Sequence, residues 1–212
     1  MANEKRLVTD VVVIGSGGAG LAAAIEARSA GSRVLIVEQA ESPGGASIIS
    51  GGGCLIVGTP LQRSLGIHDT PDEAFEDWVK WGQGSADERW ARFYIEHSLH
   101  DLYFWAEGLG VKWVDMKHQE GNRVHRWHRP NNNGLGLTTA LIDAVRRVGA
   151  EIITSTAAAK LLTENGKVCG LRAGDVKGEE TVEIQCKTLV VASGGFNANL
   201  DMVLEMRPDL KR

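Results

Sequence analysis

Gly15-Ser16-Gly17-Gly18-Ala19-Gly20 lies between an apolar run, Val11-Val12-Val13-Ile14, and a small-residue stretch, Leu21-Ala22-Ala23-Ala24-Ile25-Glu26. A glycine-rich turn between a strand and a helix can cradle phosphate, because bare backbone amides approach it and the positive end of the helix faces it. Gly15 serves the tight turn, Gly17 the close approach of backbone to pyrophosphate, and Gly20 the packing of helix on sheet. A second apolar run, Val34-Leu35-Ile36-Val37, ends in Glu38. That carboxylate stands about 20 residues on, where a dinucleotide fingerprint needs an acceptor for ribose hydroxyls. Residues 8–38 therefore predict a complete βαβ dinucleotide-binding unit. Glu38 would repel a ribose phosphate, which disfavours NADP and leaves NAD and FAD open.

A second group with chemical potential is Arg123-Val124-His125-Arg126-Trp127-His128-Arg129-Pro130. Guanidinium groups bind carboxylates bidentately, so His125, Arg126, His128 and Arg129 could hold an anionic substrate. The preferred expectation is a solvated loop whose arginines pair with local acids. Trp78, Trp81, Trp90 and Trp105 recur at helical spacing and are expected to pack in the core, as are Tyr94 and Tyr103. No Ser-His-Asp, Cys-His or metal-ligand spacing stands out. The sequence thus names no catalytic residue and no metal site.

The 212 residues are 43% hydrophobic with a net charge of −4. That suffices for one substantial core and gives no basic face for nucleic acid or an anionic membrane. Cys54, Cys169 and Cys186 are irregularly spaced and fit a reducing compartment. With neither a signal peptide nor an apolar span in view, the expected location is cytoplasmic.

The elements that must position these residues follow from local pattern. Residues 43–53 are rich in glycine and serine but contain Ile48 and Ile49, which predicts ordered backbone kept bare for a ligand. Residues 70–108 are expected to be helical, with Thr70-Pro71-Asp72-Glu73 and Ser85-Ala86-Asp87-Glu88 as capping boxes. Gly108 and Gly110 should stop the second helix before a strand over 111–114. Asn131-Asn132-Asn133-Gly134 opens a helix through Val148, and a strand follows over 151–154. Alternating runs over 157–163, 167–173 and 181–185 predict a β-meander, with turns at Asn165-Gly166 and Lys177-Gly178. A last apolar strand over 188–192 ends in Ser193-Gly194-Gly195-Phe196.

Taken in order, the fingerprint, Glu38, Gly44-Gly45-Ala46-Ser47, Ser50-Gly51-Gly52, the meander and Ala192-Ser193-Gly194-Gly195-Phe196 resemble the FAD-binding domain of the fumarate reductase and ketosteroid dehydrogenase flavoproteins. His128-Arg129-Pro130 is similar to a short motif of the soluble fumarate reductases, while Ser50-Gly51-Gly52-Gly53 and Thr70-Pro71 look more like the ketosteroid branch. The resemblance implies an α/β fold: a Rossmann-like FAD-binding domain over 1–212 with a parallel sheet, inserted helices at about 70–108 and a small β-meander at about 156–186. It implies that Gly15, Ser16, Gly17, Gly18, Ala19 and Gly20 face the FAD pyrophosphate and that Glu38 and Gln39 serve the adenosine ribose. Gly44, Gly45, Ala46 and Ser47 would line the ribityl and flavin region, and Ser50, Gly51 and Gly52 the flavin ring. Ala158 would meet the adenine, and Ala192, Ser193 and Gly194 would close the adenosine end.

Ala46 stands where respiratory relatives carry a flavin-linked histidine, so the implied FAD is non-covalent. The implied activity adds or removes two hydrogens across a C–C bond next to a carbonyl or carboxylate of a small-molecule substrate. The resemblance also implies that a capping domain and a last glycine-rich segment lie beyond Arg212, so the chain would be a fragment or be completed by a second polypeptide segment, and inactive alone. The alternatives are a non-catalytic module binding FAD or its ADP moiety, and an NAD-dependent dehydrogenase.

Overall fold

The computed structural model describes residues 5–175 and 181–210, so the turn expected at Lys177-Gly178 lies outside the described residues. The chain divides into two compact units, Met1–Ala46 with Val145–Arg212, and Ser47–Ala144.

In chain order the first unit begins with β1 (Lys5–Val8), β2 (Val11–Ile14), α1 (Gly18–Ser29) and β3 (Val34–Val37). A short helix, α2 (Gly45–Ile49), spans the sequence boundary. The second unit holds β4 (Cys54–Leu55), α3 (Pro60–Ser64), α4 (Pro71–Gly82) and α5 (Glu88–His97). A π-helical turn (Ser98–Phe104) leads to α6 (Trp105–Leu109), β5 (Trp113–Lys117), β6 (Trp127–Pro130) and α7 (Asn133–Arg147), whose end from Val145 is assigned to the first unit. The first unit resumes with β7 (Glu151–Ile153), β8 (Thr156–Glu164), β9 (Lys167–Asp175), β10 (Thr181–Gln185), β11 (Thr188–Val191) and α8 (Leu200–Met206).

In the first unit a parallel sheet runs β11-β2-β3-β7, and a second sheet runs β1-β10-β9-β8. Val12, Leu35 and Val37 pack with Leu171, Ala173 and Ile184 in one buried cluster between the sheets. Side chains alternate along a strand, so Val13 and Ile36, both fully buried, face the other way; Val13 lies beside α1 at Gly20. All four residues of β3 are buried, as a parallel strand covered on both faces requires. Each such side chain contributes about 1.5–3 kcal/mol on burial. Asn165 and Gly166 adopt φ of 51° and 76°, the pair of positive values that a type I′ hairpin demands. β1, which pairs parallel to β10, is an addition to the expected meander.

The second unit is built on the antiparallel sheet β4-β6-β5. Thr70 caps α4, accepting the Glu73 N–H, with Pro71 in the first turn. Asp87, not Ser85, caps α5. Gln83 and Gly84 take left-handed φ to reverse the chain, and the Ser85 hydroxyl is used to donate to the Gly82 carbonyl. The strand expected at 111–114 starts later, at Trp113, because the Val111 N–H still donates to the Ala106 carbonyl at the end of α6. Ile56, Tyr103, Ala106, Val111 and Trp113 form one cluster, and Val57, Ala74 and Ile95 another.

The tryptophan stripe departs from expectation. Trp78 and Trp105 pack against these clusters, whereas Trp81 is 53% exposed and Trp90 63%. α4 and α5 bury only narrow faces, Ala74 with Asp77 and Ala91 with Ile95, and the two indoles fall outside them. Among the described residues no helix is long and apolar enough to cross a membrane.

Candidate dinucleotide-binding site

The turn from β2 into α1 is shaped by what glycine lacks. Gly15 has φ of +96°, and a Cβ there would stand 2.5 Å from the Ala192 carbonyl oxygen. A Cβ on Gly20 would overlap the Gly15 carbonyl oxygen, so α1 can lie this close to the turn only with glycine at that position. Gly17 caps α1 with no side-chain hydrogen bond, which leaves the positive helix end to an anion rather than to a capping side chain. Gly45 lies against Gly17, its Cβ position 3.4 Å from the Gly17 Cα.

Glu38, at the end of β3, is 6% exposed. Its Oε2 accepts the Ser16 N–H at 2.9 Å and the Ser16 hydroxyl at 2.5 Å, and its Oε1 accepts the Ala40 N–H at 2.9 Å. Ser16, fully buried, in turn accepts the Gly44 N–H at 3.0 Å. One carboxylate thus ties the first glycine turn to the chain after β3. Burial works to raise its pKa, but the bonds from Ala40 and Ser16 outweigh it and hold the carboxyl below its ordinary value. The Gln39 backbone also bonds the carboxylate, so most of its roughly four acceptor positions are used by the protein itself. The corner after Glu38 is pinned as well: the Thr156 N–H donates to the Glu38 carbonyl and the Ser155 N–H to that of Ala40.

The remaining expected residues are placed as follows. Gln39 is exposed beside Glu38, Ala158 is exposed on β8, and Gly18 and Ala19 open α1. Ala192 donates its N–H to the Ile14 carbonyl, and Ser193 and Gly194 follow it, exposed. Ala46 is exposed on α2. In the second unit the Gly134 N–H donates to the Ser50 carbonyl, and the Ser50 hydroxyl donates to that of Ser47. Gly52, with φ of +64°, is buried against Asn133 and Gly134, while Gly51 faces open space.

The basic patch is a solvated loop only in part, and its arginines are not a free anion clamp. Arg126 is 1% exposed, with ion pairs at 2.8 Å to Asp69 and 2.6 Å to Asp77. Arg123 pairs with Glu76 and Asp77, and Arg129 with Asp115. His128 is fully buried. Its Nδ1 lies 2.8 Å from the Arg126 carbonyl, and its Nε2 lies 2.7 Å from the Thr59 hydroxyl. The carbonyl can only accept, so Nδ1 carries the proton and the neutral ring takes the Thr59 hydroxyl on Nε2. Burial is the main cause that lowers its pKa, against the opposing Nδ1 bond. Expected pairing with acids is therefore correct; the expected solvation holds for Arg123 and His125, which are exposed, and fails for Arg126 and His128, because the partners Asp69 and Asp77 lie inside the unit. Asp77 could have been suspected: it stands between Ala74 and Trp78 on the buried face of α4.

This geometry matches known proteins. The FAD binding domain family model matches residues 10–211, and the chain belongs to that family. An NADH:fumarate oxidoreductase of Klebsiella pneumoniae is 36% identical over 95% of the chain and 22% of its own length. A KsdD-like steroid dehydrogenase of Mycobacterium tuberculosis is 29% identical over 95% of the chain and 41% of its own. Among solved structures, an open flavocytochrome c3 fumarate reductase superposes with TM-score 0.90 at 32% identity, covering 99% of this chain and 37% of that one. A ketosteroid dehydrogenase of Rhodococcus jostii superposes with TM-score 0.87 at 27% identity, over 96% and 49% respectively. The chain spans less than half the length of each of these relatives. The fold is the α/β FAD-binding fold expected from sequence, and the cofactor is FAD, which decides between the two dinucleotides left open by Glu38.

Proposed function

We propose that this chain is the FAD-binding part of an oxidoreductase that adds or removes two hydrogens across a C–C bond next to a carbonyl or carboxylate. The observation that carries the reading is the bare turn at 15–20, braced by Ser16 and Glu38, where Gly15 and Gly20 are too crowded by backbone to carry a side chain. FAD, when bound, supplies hydride exchange with the substrate carbon.

The chain's own residues bind and orient. Gly15, Gly17 and Gly20 keep backbone at the pyrophosphate, Glu38 serves the adenosine ribose, and Ala158 with Ala192, Ser193 and Gly194 borders the adenosine. Gln39, Gly44, Gly45 and Ala46, and by resemblance Ser47, Ser50, Gly51 and Gly52, complete the set. Ala46 offers no nucleophile, so FAD is held without a covalent bond. Such chemistry also needs an acid or base at the neighbouring carbon. Arg126 and His128, fully engaged inside the second unit, are not that group.

The test is anaerobic reoxidation in the whole protein of which this chain is the FAD-binding part: its reduced flavin should be reoxidised by an alkene conjugated to a carbonyl or carboxylate. Flavin that stays reduced with every such alkene would contradict the reading.

A further inference from the structure

The second unit contains a cavity of about 690 Å³, within the span of small-molecule sites, about 300–1,000 Å³. None of the dinucleotide assignments uses it. Trp78, Trp81, Tyr94, Trp127, Cys54 and Leu55 are among the residues that line it. Its indoles are seated by glycine: a Cβ on Gly121 would come 2.6 Å from Trp81, and one on Gly53 would overlap the Trp127 ring.

We propose that this cavity binds a flat, uncharged ring compound, aromatic or fused alicyclic, in preference to a carboxylate anion. No lysine, arginine or histidine is among its lining residues, whereas Asp77, Asp87 and Glu120 are. The nearby cations are already committed, Arg123 to Glu76 and Asp77 and Arg126 to Asp69 and Asp77. A dicarboxylate would thus lose its hydration and meet only like charge. A cation gains little in exchange, since Asp77 is neutralised by two guanidiniums, Asp87 caps α5, and Glu120 is exposed to solvent, where an ion pair is worth little. The Tyr94 hydroxyl donates to the Leu55 carbonyl. Burial pushes the Cys54 thiol up to about 11, so it too is uncharged at neutral pH. Ser85, Gln119 and Asn122 add uncharged polar groups to the lining, and the remaining wall of ring faces and apolar surface favours another flat ring.

Gly53 and Cys54 directly follow Gly51 and Gly52 in sequence. The inference therefore deepens the proposed function by naming a substrate class, and it rests on that reading only for the ligand's being a substrate.

The experiment titrates the full chain, with and without FAD, with 4-androstene-3,17-dione, vinylphenol and fumarate, following indole fluorescence. At least one of the two ring compounds should quench saturably, with fumarate neither quenching nor displacing it. Trp81→Ala, at a half-exposed position that folding does not need, should weaken that ring compound about tenfold, the scale of one lost aromatic contact. Ala86→Trp, which fills the cavity from its lining, should abolish binding while circular dichroism stays unchanged. Saturable fumarate binding, no saturable binding of either ring compound, or binding indifferent to both substitutions would overturn the inference. A chain that binds the ring compound but never FAD would instead overturn the proposed function and leave this one standing.

Discussion

Gly17 and Gly20 sit three residues apart and should fail in different ways when substituted. Gly17→Val puts a side chain where backbone must meet phosphate, so FAD affinity should vanish while the circular dichroism spectrum is kept. Gly20→Val collides with the Gly15 carbonyl and with Val13, so the fold itself should lose stability, seen as a lower thermal midpoint. Glu38 joins both roles. Glu38→Gln should weaken FAD by about 1.5–3 kcal/mol, the range for a lost charge-assisted bond, measured by flavin fluorescence titration. Its carboxyl lies below its ordinary value of 4.5 when folded, so the unfolded chain holds that proton more tightly. The resulting stability is complete above the ordinary value and drains away as pH falls through the folded value. Glu38→Gln should therefore flatten the acid limb of a stability curve; an unchanged limb would contradict the Ser16–Glu38 bond.

Elements are tied together by charges of very different worth. Arg126, just before β6, is tied to Asp77 on α4 and to Asp69 inside the second unit. Arg126→Met would leave the buried Asp69 carboxylate without its guanidinium and Asp77 with Arg123 alone, costing about 3–5 kcal/mol. Arg129→Ala removes a half-exposed pair with Asp115 and should cost about 0–1 kcal/mol. Denaturant titration separates the two, and equal costs would sink the burial argument. His128, held neutral, adds a pH term: below about 6.5, the usual histidine value, the unfolded chain takes up a proton that the folded ring resists. Stability should fall from there downward until the folded value is reached, and His128→Gln should remove that slope.

Over the whole molecule, what the sequence disclosed was local. The glycine turn from β2 into α1, the Asn165-Gly166 turn and the Thr70-Pro71 cap are each decided within a few residues, and all three formed as read. Features decided across the chain were hidden: β1 finds β10 in the meander sheet, and Arg126 finds Asp69 across 57 residues. Trp81 and Trp90 misled because helical spacing says that a stripe exists but not which width of it a neighbour covers. The Ser16–Glu38 bond lay between, since both residues were singled out for the ligand while their use of each other needed coordinates. The central claim, that this chain holds FAD non-covalently in the 15–20 cradle, is tested most directly by visible absorption of the protein reconstituted with FAD, before and after acid precipitation. Flavin bands that travel with the native chain, pass wholly into the acid supernatant and are absent in Gly17→Val are the predicted result. Flavin that stays on the precipitate, or binds Gly17→Val equally well, would contradict it.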